Sequence, residues 1–148
     1  MTRMLAALLL SLAATATCAS EAANIRASAA WIRVLPGDLP AGGYVTLQNP
    51  STQPATLVGA SSPSYGMAML HESSRAGGMN RMRMVEKLVI PAHGSQMLAP
   101  GGYHLMLMHA KTPVAPGATV RITLTFADGS ALPVDFAARP AGALGPHD

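Results

Sequence analysis

A chain of 148 residues, 49% apolar and only 11% charged, has room for one domain with a real hydrophobic core and is too apolar for a disordered tail. Its net charge of +3 is small, and its cations stand singly apart from Arg81 and Arg83. With three Tyr, two Phe and one Trp available to stack on bases, a nucleic-acid platform is excluded.

The N-terminus reads as an export address. Arg3 precedes an apolar run from Met4 to Ala16, followed by small residues that suit a signal peptidase. That run is too short to span a bilayer, so removal is expected rather than anchoring, and no membrane span remains afterwards. Residues 1–22 are assigned to the signal peptide, with cleavage after Ala16, Ser20 or Ala22. The single cysteine, Cys18, falls in this region. A lipidation site calls for a small residue just before the cysteine and usually Leu three before it. Thr17 and Thr15 stand there instead, which argues against lipidation. A mature chain with at most one cysteine cannot be a disulfide scaffold.

From residue 23 the chain reads as short strands separated by Gly, Pro, Asn and Ser. In order they are "SAAWIRVLP", "GGYVTLQNP", "ATLVGASS", "YGMAMLHE", "NRMRMVE", "KLVIP", "SQMLAPGG", "YHLMLMH", "TVRITLTFADGS" and "ALPVDFAAR". Asp128-Gly129 between the last two is a hairpin signal. Nothing after the signal carries helical periodicity beyond about two turns. Closely spaced strands with this punctuation predict an all-β antiparallel sandwich or small barrel over 23–139, with 140–148 as a flexible tail.

Methionine distribution is the anomaly. Met1 and Met4 belong to the signal. The other eight, at positions 67, 69, 79, 82, 84, 97, 106 and 108, are confined to one segment, and His71, His93 and His104 lie in it with His109 at its border. Methionine fills gaps in cores, but that role predicts scatter. Imidazole and thioether are both neutral ligands, and the thioether is soft. Side chains at i and i+2 share a strand face. His104 and Met106 can therefore converge, as can Met67, Met69 and His71 on another strand and Met82 with Met84 on a third. Two donors from one strand and one each from two others make a four-coordinate cage. Calcium and magnesium prefer oxygen, structural zinc prefers thiolates or several histidines, and thioethers select Cu(I). A blue-copper centre needs a cysteine thiolate, which this segment lacks. Storage or transfer of Cu(I) is the use that remains.

The spacing also carries a resemblance. His71 is followed after ten residues by Met82, then after twenty-one by His104, Leu105 and Met106. This resembles the periplasmic copper chaperones of the PCuAC type, whose signature is His-x10-Met-x21-His-x-Met. "AWIRVLPG" from Ala30, "AGGYVTLQN" from Ala41, "LHE" at Leu70 and "PGGYHLMLM" from Pro100 are similar to other landmarks of that family. Members often carry Met two residues before the second ligand and Pro two after it, where this chain has Asn80 and Met84.

The resemblance implies a cupredoxin-like or immunoglobulin-like β-sandwich, a Greek-key barrel, working as a monomer in the periplasm. It implies one Cu(I) per chain held by His71, Met82, His104 and Met106. Delivery would be to the CuA site of cytochrome c oxidase subunit II or a related copper oxidase, sometimes beside a thioredoxin-like Sco partner. Met108, Met69, Met79 and Met84 are candidates for auxiliary ligands or for an apolar collar around the ion. On a regular strand Met79 leans to another face than Met82. His93 reads as a turn residue, His109 as facing away from His104, and His147 as part of the tail. Trp31 and Tyr103 read as core and rim, and Glu72 as an acceptor for an imidazole N–H. Ser73 and Ser74 near His71 have no nucleophile elbow or paired acid, so no enzyme is expected. The other class to weigh is a periplasmic immunoglobulin-like adhesion or assembly module whose methionines form a contact patch. Such a module would ignore copper.

Overall fold

A computed structural model describes residues 19–148; Cys18, the apolar run and the cleavage point after Ala16 lie outside the described residues. Ten strands follow one another: β1 Arg26–Arg33, β2 Ala41–Asn49, β3 Ala55–Ser61, β4 Tyr65–Ala76, β5 Met79–Met84, β6 Leu88–Ile90, β7 Gly94–Leu98, β8 Tyr103–Ala110, β9 Thr119–Phe126 and β10 Ala131–Arg139. Among the described residues no helix is long and apolar enough to cross a membrane.

All ten strands belong to one sheet, in the order β5-β4-β8-β2-β1-β10-β9-β3-β6, with β7 pairing on the distal half of β2. Each strand turns alternate residues inward, and Ile32, Leu47, Leu57, Ile90, Leu105, Leu107, Ile122, Leu124 and Phe136 are fully buried in one shared core. All pairings are antiparallel except β1 with β10, where Trp31, Ile32 and Arg33 run parallel to Ala137, Ala138 and Arg139. A parallel pair needs a long connection. Here the whole domain supplies it, because these are its first and last strands.

Three boundaries differ from the sequence reading. β4 continues past Glu72 to Ala76, because "SSRA" pairs with β5 across a two-residue turn at Gly77-Gly78. Both glycines have positive φ, +59° and +78°, the conformation of a tight hairpin turn. At the front, Ser20 caps a four-residue helix, α1 Glu21–Asn24, by accepting from the Ala23 N–H. The Glu21 N–H donates to Asp128, the Ala22 N–H to Ser130, and the Glu21 carboxylate accepts the Thr56 N–H. The folded unit thus includes Ser20 to Ala22, which the sequence reading gave to the leader.

At the back, the segment after Arg139 is tied down rather than loose. Ala143 is buried against Trp31 and Tyr44, whose ring centroids lie 4.6 Å apart. Arg33 donates from Nε and a terminal nitrogen to the Ala143 carbonyl, and Arg139 donates to the Pro146 carbonyl. "PAGALGPHD" looks mobile from composition, but the aromatic pair on the outer sheet face gives it a surface to cover.

Candidate metal site

β8 enters from a turn in which Gly101 takes φ +83°, the Gly102 N–H donates to the Ala99 carbonyl and the Ala99 N–H to that of Tyr103. Alternation then sends Leu105 and Leu107 into the core, with His104, Met106 and Met108 on the outer face. On β4 the inward residue is Leu70, and Met67, Met69 and His71 take the outer face.

The register between these strands puts His71 directly across from His104, Met69 across from Met106, and Met67 across from Met108. Directly opposed residues share a face, with Cβ atoms about 4.5–5.5 Å apart. The two imidazoles meet edge to face, with ring centroids 5.9 Å apart and planes at 89°. On the other side of β4 the hairpin sets Met84 across from His71, and Met82 across from Ser73. Met82 is therefore the diagonal neighbour of His71, at about 7–8 Å between Cα atoms, which a long side chain can bridge.

The four signature residues thus share one outer face of three adjacent strands, β5, β4 and β8. So do Met84, Met69 and Met108. Met79 pairs with Ala76 and alternates to the opposite face. His93 and His109 are exposed, each with positive φ (53° and 56°), and His147 is exposed in the last residues.

The two imidazoles are prepared differently. His104, 7% exposed, donates from Nδ1 to the Gly102 carbonyl at 3.0 Å, which leaves Nε2 with a free lone pair in the neutral ring. The same carbonyl accepts the Ser73 N–H at 3.0 Å, so one oxygen ties both strands and orients the ring. This orienting group was not visible in sequence, because a backbone carbonyl has no residue signature. Glu72 does not fill that place: by register it stands across from Tyr103, on the alternate face, and it pairs with Arg83.

His71 carries the buried side-chain nitrogen, Nδ1, that has no hydrogen-bond partner. Its pKa is lowered from the ordinary 6.5, first by burial and then by the charge of His104. A buried unpaired nitrogen is costly unless something accepts its lone pair. The face therefore offers two neutral imidazoles and a set of thioethers. Among the described residues no three His, Cys, Asp or Glu side chains are grouped to hold a metal, so the thioethers must complete any donor set here. Met106 and Met69 are half-buried, while Met82, Met84 and Met67 are 53%, 60% and 42% exposed. A groove of about 590 Å³ lined by Leu35, Leu39, Tyr65 and Pro113 contains no histidine or methionine.

Comparison with known proteins agrees with this geometry. Residues 25–138 match the family described as "Putative lipoprotein LpqE-like". "Putative lipoprotein Lxx21020" of Leifsonia xyli subsp. xyli is 33% identical over 123 residues, 82% of this chain and 74% of that protein. Both descriptions name a lipoprotein.

Among solved structures, the solution structure of CuI-DR1885 from Deinococcus radiodurans is 41% identical, covers 74% of each chain and superposes with a TM-score of 0.61. Its apo form is 35% identical over 97% of this chain and 99% of that one, with a TM-score of 0.63. The copper-bound PCuAC domain from PmoF2 is 22% identical, covers 79% and 93%, and reaches a TM-score of 0.66, a likeness of fold alone. The architecture is the all-β sandwich, cupredoxin-like or immunoglobulin-like, that the resemblance implied.

Proposed function

Since the chain belongs to the LpqE-like, PCuAC-type family, we propose that it is an exported copper chaperone that holds one Cu(I) with His71, Met82, His104 and Met106 and passes it to an acceptor protein by ligand exchange. The observation that carries this reading is the His71–His104 rung: two neutral imidazoles, one with Nε2 free and one with an unpartnered Nδ1, on a face lined with thioethers. All four donors are uncharged, so the bound ion keeps its single positive charge. Soft, weakly basic donors suit a monovalent ion and yield it to thiolates, which bind Cu(I) more strongly. No catalytic group and no nucleotide is needed for that exchange. The acceptor proposed is the CuA site of an oxidase subunit, in the periplasm, reached directly or beside a Sco-type partner. The copper named in the DR1885 and PmoF2 structures supports the cargo.

The test is an anaerobic titration against a chromogenic Cu(I) chelator. The protein should withdraw one Cu(I) per chain, and His104→Ala combined with Met106→Ala should abolish the withdrawal while leaving the β-sheet circular dichroism unchanged. X-ray absorption of the loaded protein should show sulfur together with nitrogen. A shell of nitrogen and oxygen alone, or no copper uptake, would overturn the reading in favour of a methionine contact patch.

A further inference from the structure

The face that carries the candidate donors holds more thioethers than one four-coordinate ion can use. β4 and β8 stack three rungs in register, His71–His104, Met69–Met106 and Met67–Met108. Successive rungs on one face are about 6.8 Å apart, so the outer rung lies about 14 Å from the histidines. That is too far for its sulfurs and the imidazole nitrogens to close around a single ion. Yet the outer rung is no core filler: Met67 is 42% exposed, and the inward positions of these strands belong to Leu70, Leu105 and Leu107. Two flexible thioethers directly opposed across an antiparallel pair can close on one soft ion in two-coordinate fashion.

We propose that Met67 and Met108 form a second, all-thioether site for a soft monovalent cation, with Met69 and Met106 as the step between it and the histidine rung. The inference rests on the preceding reading only in taking this face to handle a soft ion. Lacking imidazole, the outer site is the weaker of the two and fills second. Met106 faces Met69 across the ladder, so an ion moves between sites by exchanging one sulfur at a time. The ladder then provides a route along the face.

Silver(I), a redox-inert soft cation, is the probe, added in chloride-free buffer to the mature protein labelled with ¹³C at its methionine methyls. The first equivalent should shift Met82 and Met106, the second Met67 and Met108, and Met69 should respond to both. Met67→Leu with Met108→Leu should reduce bound silver from two ions per chain to one in native mass spectrometry, with the first-equivalent shifts kept. The proposal is overturned if the second equivalent leaves both outer methyls unmoved or moves Met79, on the other face, as far. Retention of two ions by the double variant overturns it equally. Should that variant fail to fold, the wild-type spectra decide alone. A first equivalent that bypasses Met82 and Met106 but reaches the outer pair would sink the four-ligand reading and leave this one standing.

Discussion

At position 104 an imidazole is oriented by its own turn. Gly102, two residues earlier, lends its carbonyl to Nδ1–H, and the same oxygen takes the Ser73 amide from β4. The apo protein should therefore hold His104 in the Nδ1–H tautomer, readable from its ring ¹⁵N shifts, with Nε2 as the nitrogen that moves when Cu(I) is added. An Nε2–H tautomer in the apo state would contradict the hydrogen bond. Residue types and parity made much of this site legible: His104 with Met106, and Met82 with Met84, alternate to common faces whatever the fold. What sequence could not supply was register. Nothing local says that His71 stands across from His104, or that Met84 rather than Met82 is its direct partner across β5. Register depends on turns and bulges distributed along the sheet, such as the shift between Ser28 and Trp31 where Ala29 takes φ +51°. Glu72 misled for the same reason, since proximity in sequence to His71 put it on the wrong face.

Among the elements, the β4–β5 hairpin is the least supported. All six residues of β5 are exposed, and β5 is the edge of the sheet. Its turn depends on two glycines at positive φ, where an L side chain costs about 1–2 kcal/mol. Gly77→Ala with Gly78→Ala should loosen the hairpin by that order per residue. Amide exchange should quicken at Asn80 to Met84, Cu(I) affinity should fall, and the global melting temperature should barely move. An unchanged affinity would mean that Met82 is not needed. The sequence ended β4 at Glu72 because "SSRA" shows no hydrophobic alternation. A strand wet on both faces gives no such signal, and only its cross-strand partner holds it extended. The same blindness applied to β1 and β10, whose parallel pairing joins the two ends of the domain.

For the molecule as a whole, the alternating strands announced the sandwich, while its two ends were hidden. Asp128, in the β9–β10 turn, holds the front end. Its carboxylate accepts from Ser130 Oγ, from the Ser130 N–H and from the Glu21 N–H, and these bonds lower its pKa below the ordinary 3.8. A depressed carboxylate adds stability that is complete above the unfolded value and disappears as pH falls through the folded one. The turn holding α1 should therefore be stable at neutral pH and open below about pH 4, seen as faster exchange of the Glu21 and Ala22 amides. Asp128→Asn should bring that opening to neutral pH, and a variant with unaltered exchange would refute the assignment. One consequence follows from the placement of the donors at the sheet's margin. Two of the four, His104 and Met106, ride on an interior strand bolted to the core by Leu105 and Leu107. Met82 rides on the fringe. On the proposed reading the cradle is stiff on one flank and yielding on the other, so an incoming thiolate evicts the fringe sulfur first and takes delivery from the rigid flank, leaving the carrier folded for its next load.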